Sequence, residues 1–195
     1  MVEAALVIGP DGCVLHLHLP PGVTSGSIPD SARLWEVLWQ NRGLVEGVAH
    51  LHPGRGEPCP SETDLTTFAA IEAGLGRRLC WWISSSDHTL EIRWRGPNRL
   101  DYAEELVIAP RWVVVLRLLG QAPLPGSRWL HPKRGTSYRV DDVRTLQAGL
   151  ESAAWSLDGA LAVCYTGEQD GLRWVRPLFE FLDGRFRPLP EPDHA

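Results

Sequence analysis

Two histidines and an aspartate in the first half of the chain have the residue types and spacing of a zinc site. Eight residues separate the segment His50-Leu51-His52 from the segment Ser61-Glu62-Thr63-Asp64. Because residues i and i+2 of a strand point to the same side, His50 and His52 are predicted to converge on one ion. Asp64, in the first turn of the following helix, can direct its carboxylate towards the same point. Two imidazoles and one carboxylate form a three-ligand zinc set with the fourth position left to water, as in catalytic zinc sites.

Such a site favours hydrolytic chemistry. Zinc lowers the pKa of its bound water to about 7, and a nearby carboxylate can then take the proton. Ser61 is predicted to hydrogen-bond the substrate or its developing oxyanion. The alternative for the same segment is structural, with Ser61 as a helix N-cap and Asp64 facing the positive end of the helix dipole. A second pair, His16 and His18, lacks a downstream Ser-x-x-Asp and is predicted to be structural or at the surface.

Alternating strands and helices are predicted to position these residues. Apolar runs and alternation predict strands at 2–8, 13–19, 44–51, 79–84, 90–94 and 112–119. Apolar residues at helical spacing, with Ser or Asp before them and Gly after them, predict helices at 32–41 and 61–73. Mixed strands and helices up to about residue 119 predict a domain of the α/β or α+β class.

The remainder of the chain has a different pattern. Residues 120–126 are rich in Gly and Pro and are predicted to be a linker. Short strands at 137–140, 161–165 and 173–175, with one helix near 143–154, favour a small β-rich, barrel-like module over 127–188, and 189–195 is predicted to be a frayed tail. The string Trp174-Val175-Arg176-Pro177-Leu178, followed by Asp183-Gly184-x-Phe186, resembles an uncharacterised bacterial family of small SH3-like β domains. We expect this module to dock a partner or position a substrate.

The zinc-site string resembles that of a known enzyme family. His50-x-His52-Pro53 followed by Pro60-Ser61-x-x-Asp64 is similar to the signature of the JAB/MPN (JAMM) zinc metallopeptidases, which consists of a Glu, then His-x-His, then Ser-x-x-Asp. The resemblance covers about residues 1–119. It implies a curved mixed sheet flanked by helices, zinc as the cofactor, and hydrolysis of peptide or isopeptide bonds next to ubiquitin-like proteins.

The same resemblance implies a glutamate as the general base. In the family this residue lies near the start of the first strand, a few residues before a Gly, and Glu3 ahead of Gly9 is the best match. Glu36, on a predicted helix, and Glu46, four residues before His50, are the alternatives.

The function expected is therefore that of a zinc-dependent isopeptidase or peptidase of the deubiquitinase-like type. Zn²⁺ is held by His50, His52 and Asp64, with Glu3 and Ser61 as catalytic residues. A ubiquitin-like protein or its conjugate is the expected substrate, and enzymes of a conjugation pathway are further partners. The alternative is a catalytically silent JAB/MPN-like binding or scaffold protein with a C-terminal interaction module.

Composition excludes other classes of partner from this expectation. A net charge of −5 argues against nucleic acid as the main partner. No apolar run approaches the roughly 18–20 residues of a membrane span. Residues 1–4 lack the basic flank of a signal peptide, and the four cysteines form no C-x-x-C pair, so a cytoplasmic protein is expected.

Overall fold

The chain forms two compact units. The computed structural model describes residues 1–147, 151–152, 155–156 and 159–190 of the 195. The first unit is Met1–Gln121 and the second is Ala122–Ala195, so the boundary lies inside the Gly/Pro-rich segment 120–126. The predicted tail, 189–195, lies mostly outside the described residues.

The first unit is a six-stranded mixed sheet with three helices. The strands are β1 (Ala5–Ile8), β2 (Val14–His18), β3 (Gly47–Leu51), β4 (Cys80–Ser84), β5 (Thr89–Trp94) and β6 (Tyr102–Leu106). The helices are α1 (Ala32–Gln40), α2 (Glu62–Leu75) and α3 (Trp112–Leu119). The strand order is β2-β1-β3-β4-β5-β6, in which β3 and β4 are parallel and the other pairs antiparallel. Two parallel neighbours need a long crossover, and α2 provides it.

The core of this unit explains why α2 lies over the sheet. Phe68 of α2 stacks on Trp81 of β4 with ring centroids 4.1 Å apart. Glu72, one helical turn later, is buried and accepts hydrogen bonds from the indole N–H of Trp81 and the backbone N–H of Leu79, both at 3.0 Å. Tyr102 of β6 donates to the same carboxylate at 2.8 Å. A buried carboxyl group with this many donors ties the helix to β4 and to β6.

The fold class is confirmed as a mixture of helices and strands, but one predicted strand is wrong. Residues 112–119 form helix α3, whose buried side chains are Trp112, Val113, Leu116 and Leu119. That spacing is helical, and Val114 on the other side is 63% exposed. The run of three valines favoured a strand because β-branched residues do so on average. Strand β6 was not predicted, since its sequence carries two consecutive glutamates.

In its described residues, the second unit is a five-stranded antiparallel sheet with one short helix and a two-stranded ribbon. Its elements are β7 (Arg128–His131), β8 (Thr136–Thr145), β9 (Glu151–Ser152), β10 (Trp155–Ser156), β11 (Leu161–Gly167), β12 (Arg173–Pro177), α4 (Leu178–Phe181) and β13 (Arg187–Pro188). The order is β12-β11-β8-β7-β13, and β9 pairs with β10.

The helix predicted near 143–154 is wrong where the structure describes that segment. Residues up to Thr145 continue strand β8, paired with β11, and 151–152 are also a strand. Residues 148–150 and 153–154 of the prediction lie outside the described residues.

An aromatic cluster fills the core of this unit, with Phe181 stacked on Phe186 at 4.4 Å and Tyr165 edge-on to both. The SH3-like barrel outline stays a prediction.

A search of the described residues finds no helix with both the length and the apolarity needed to cross a membrane.

Candidate metal centre

The two imidazoles come together because they are two residues apart along one central strand. His50 lies in β3 between β1 and β4, and its side chain is 9% exposed. His52 lies just beyond the end of β3, where its backbone N–H donates to the carbonyl of Ser84 at 2.9 Å. That bond continues the pairing of β3 with β4 by one residue. The backbone therefore fixes both imidazoles on one side of the sheet, as the sequence predicted.

Asp64 reaches the same point from the start of α2. Ser61 is the N-cap of this helix, and its hydroxyl accepts from the backbone N–H of Asp64 at 3.1 Å. In return, the Asp64 carboxylate accepts from the backbone N–H and the hydroxyl of Ser61, each at 2.7 Å. This capping box holds the carboxylate over the first turn of α2. The remaining face of the carboxylate is directed at the two imidazoles.

The three side chains have the separations of ligands around one ion. The Nε2 atoms of His50 and His52 are 2.9 Å apart. Asp64 places Oδ1 3.3 Å from the first of these nitrogens and Oδ2 3.5 Å from the second. Zinc bonds of about 2.0–2.1 Å at tetrahedral angles separate two ligand atoms by about 3.3–3.4 Å. The donor set therefore fits a zinc-sized cation, and one coordination position is left for water.

The number of protons that these groups can share also favours a cation between them. A neutral imidazole carries one N–H, so a single proton can be shared between the two facing Nε2 atoms. An imidazole whose Nε2 accepts that proton has none at this atom for Asp64, and two Nε2–H groups that both donate to Asp64 leave the 2.9 Å contact between them without an acceptor. A cation at the centre of His50, His52 and Asp64 attracts all three ligand atoms, whereas protons can satisfy only some of them.

The short distances between these three side chains shift the pKa values of Asp64 and His52. Burial by itself would raise the pKa of Asp64, but hydrogen bonds with His50, His52 and Ser61 outweigh it and hold that pKa well below its ordinary value. The hydrogen bond with Asp64 raises the pKa of His52, against the opposing effect of burial. Asp64 is therefore a carboxylate under all ordinary conditions.

Glu3 lies beside these groups because β1 pairs with β3. Ala5 is opposite His50 in the antiparallel register, and continuing that register brings Glu3 opposite His52. Burial raises the pKa of Glu3, His50 and His52 lower it, and Asp64 raises it further, for a net increase. The carboxyl group of Glu3 is thus close enough to sense the charge of all three predicted ligands.

The two other glutamates considered as the base are not brought to this site. Glu36 is on the exposed side of α1, where it pairs with Arg33 at 3.3 Å. Glu46 precedes β3 and is bonded through its backbone to Ile8, at the opposite end of the strand. Four residues of strand separate Glu46 from His50, a distance of about 13 Å.

The second His-x-His pair has a different environment. His16 and His18 lie on the edge strand β2 with ring centroids 5.8 Å apart. His18 is 3% exposed, and its Nε2 has no hydrogen-bond partner among the residues that the structure describes. Burial, followed by the charge of His16, lowers the pKa of His18 to about 4. Within the described part of the chain, the residues grouped as a possible metal site are His50, His52 and Asp64.

The loop between His52 and Ser61 is held by the turn that follows β4. The carboxylate of Asp87 accepts from the backbone N–H of Gly56 at 2.8 Å, and the hydroxyl of Ser85 donates to the carbonyl of Gly56 at 2.7 Å. The polar run 84–87 after β4 was the available signal, although polar residues after a strand are common.

A comparison with protein-family models finds no match, and no curated protein matches the chain. The family resemblance therefore stays a prediction from the sequence motif of residues 50–64.

Proposed function

We propose that the first unit is a zinc-dependent peptidase or isopeptidase that acts next to a ubiquitin-like protein. The observation that carries the proposal is the convergence of His50, His52 and Asp64, with separations of 2.9–3.5 Å between their ligand atoms and with Glu3 alongside. Three protein ligands that leave an open position are the arrangement of catalytic rather than structural zinc. The resemblance of the motif to JAB/MPN metallopeptidases supplies the substrate class.

Each residue has a distinct part in this proposal. When bound, zinc supplies a Lewis acid that polarises the scissile carbonyl and makes water acidic enough to be a nucleophile at neutral pH. The Glu3 carboxylate accepts a proton from the attacking water and returns it to the leaving amine nitrogen. The Ser61 hydroxyl donates to Asp64 in the structure, and in the reaction it donates to the oxyanion that forms. The sheet and α2 fix these groups before the substrate arrives.

The first test is the metal content of the purified protein, measured by elemental mass spectrometry. The wild type is expected to contain about one zinc per chain, and Asp64→Ala is expected to lose it. Glu57→Ala is the matched control, because Glu57 is an exposed acid in the loop between the ligands. Equal metal content in the wild type and in Asp64→Ala, or none in the wild type after zinc is supplied, would contradict the proposal.

The second test separates an enzyme from a silent scaffold. Glu3→Gln is expected to keep its zinc and to lose turnover of ubiquitin-like conjugates by at least about a hundredfold, the lower end of what a general base contributes. Turnover in Glu3→Gln equal to that of the wild type would remove Glu3 from the mechanism. Bound zinc without turnover of any conjugate by the wild type would favour the scaffold alternative.

A further inference from the structure

Arg117 is the polar residue on α3 that faces the site region. Its Nε donates to the carbonyl of Ser85 at 2.8 Å, and its terminal nitrogen donates to the hydroxyl of Ser84 and the carbonyl of His88, both at 3.2 Å. Within the described part of the chain, Arg117 forms no ion pair with a carboxylate. The hydrogen bonds of the planar guanidinium therefore go to one turn, residues 84–88, between β4 and β5.

This turn contacts the site at two points. The carbonyl of Ser84 accepts from the backbone N–H of His52, one of the predicted ligands, at 2.9 Å. Beyond it, Ser85, Ser86 and Asp87 bond to the loop 53–60 at Gly54 and Gly56. That loop joins His52 to the helix carrying Asp64. The turn therefore braces the connection between the imidazole ligands and the carboxylate ligand.

The turn is supported both from within and from α3. The hydroxyl of the fully buried Ser84 contacts the carbonyls of Ser85 and His88 at 3.0 and 3.1 Å, and the backbone N–H of Ser85 donates to the carbonyl of His88 at 3.0 Å. Hydrogen bonds from a charged guanidinium are stronger than those from neutral donors, so Arg117 adds to the support that the turn gives itself. Arg117 donates to all three oxygens at once, and it does so from a helix packed against β3, the strand that carries His50.

We infer that Arg117 is a positioning residue for the metal centre, acting through the 84–88 turn on His52 and on the loop that leads to Asp64. The inference rests on the proposed function, and it names a residue distant in sequence from the ligands. Its removal lets the turn shift, so the three ligand atoms no longer have the separations that zinc requires. The helical form of 112–119 is essential, since it is the helix that presents Arg117 to the turn.

The experiment measures zinc affinity by competition with a chromogenic chelator in the full chain, in Arg117→Gln and in Arg117→Lys. Arg117→Gln is expected to weaken zinc binding by about 10- to 100-fold, the usual effect of removing a residue that orients metal ligands. Arg117→Lys keeps the positive charge but lacks the several donors of the planar guanidinium. Its zinc affinity is expected to lie between those of the wild type and Arg117→Gln. Arg111→Gln, an exposed arginine just before α3, is the control and is expected to match the wild type.

The cobalt-substituted proteins provide a readout that general destabilisation does not change. Co²⁺ absorption bands report ligand geometry, and they are expected to shift in Arg117→Gln but not in Arg111→Gln. Should Arg117→Gln fail to fold, Asp87→Ala removes an exposed contact between the 84–88 turn and the loop 53–60. This variant is expected to weaken zinc binding by a smaller factor. Wild-type affinity and spectrum in the folded variants would overturn the inference and leave the proposed function intact. A wild type without metal binding would overturn both.

Discussion

At the scale of single residues, Asp64 combines two roles that the sequence presented as alternatives. Its Oδ2 closes the capping box with Ser61 and also lies 3.5 Å from His52, while its Oδ1 faces His50. The motif Ser-x-x-Asp thus starts helix α2 and orients a predicted ligand with the same atoms. The sequence could predict the convergence of these residues, since it depends on local spacing. It could not show that the cap and the ligand are one carboxylate.

Ser61 is expected to contribute to stability even without metal. Ser61→Ala removes the N-cap of α2 and is expected to lower the free energy of unfolding by about 1 kcal/mol. Ser61→Thr keeps a capping hydroxyl and is expected to stay within about 0.5 kcal/mol of the wild type. Urea unfolding in the presence of EDTA measures both. An alanine variant as stable as the wild type would contradict the capping role.

His18 makes stability dependent on pH. Its pKa is about 4 in the folded protein and 6.5 without burial, so the unfolded chain binds more protons between these values. The stabilisation of the neutral imidazole is fully present above pH 6.5 and is lost as the pH falls towards 4. The loss amounts to about 3 kcal/mol.

His18→Leu is expected to remove this contribution, so its unfolding free energy should vary less between pH 7 and pH 4 than that of the wild type. Chemical denaturation at a series of pH values provides the comparison. Parallel pH profiles for the two proteins would show that His18 does not titrate in this way.

At the scale of elements, local patterns predicted β1 to β5, α1 and α2. These elements carry His50 and Asp64, and the other three predicted site residues lie one or two positions beyond an end of β1, β3 or α2. Helix α3 was predicted as a strand because three consecutive valines outweighed the wider spacing of its buried residues. The contribution of α3 to the site depends on contacts between residues far apart in sequence, such as Arg117 with Ser85. Single-chain patterns do not encode such contacts.

The end of α3 also bears on the site through Gly120. A Cβ at this position would overlap the buried side chain of Leu51, between the two histidines, and would lie 2.9 Å from the carbonyl oxygen of Val2, next to Glu3. Gly120→Ala is expected to cost about 1–3 kcal/mol, as for overpacked cores, and to weaken zinc binding. Gly43→Ala has open space around its Cβ and is the control for urea unfolding and metal titration. Similar behaviour of the two variants would contradict this role for Gly120.

At the scale of the whole molecule, the predicted ligands, the proposed base and the bracing helix all belong to the unit Met1–Gln121. The sequence predicted a linker at 120–126, where Gly and Pro are concentrated, and the boundary between the two units lies in that segment. Within the second unit a helix was predicted near 143–154, where residues up to 145 and residues 151–152 are strands. Charged and alanine residues in that segment suit a helix locally, whereas pairing with β11 determines the observed structure.

A chain that ends at Gln121 is therefore expected to bind about one zinc, as is expected of the full chain, while losing affinity for a conjugate substrate. Elemental mass spectrometry and a binding titration with a ubiquitin-like protein measure the two properties. Loss of zinc on truncation of a folded protein would show that the second unit contributes to the metal centre.

The capping box has a consequence for how the protein would report its own metal loading. The amide hydrogens of Ser61 and Asp64 are held by the two side chains that close the start of α2, and one of these side chains is the predicted zinc ligand Asp64. When the carboxylate is fixed by a cation, the first turn of α2 can open less often, and its amides exchange with deuterium more slowly. Protection of the amides of residues 61–65 from hydrogen exchange would then rise with zinc occupancy, so that exchange in this short segment would report how much of the protein holds zinc.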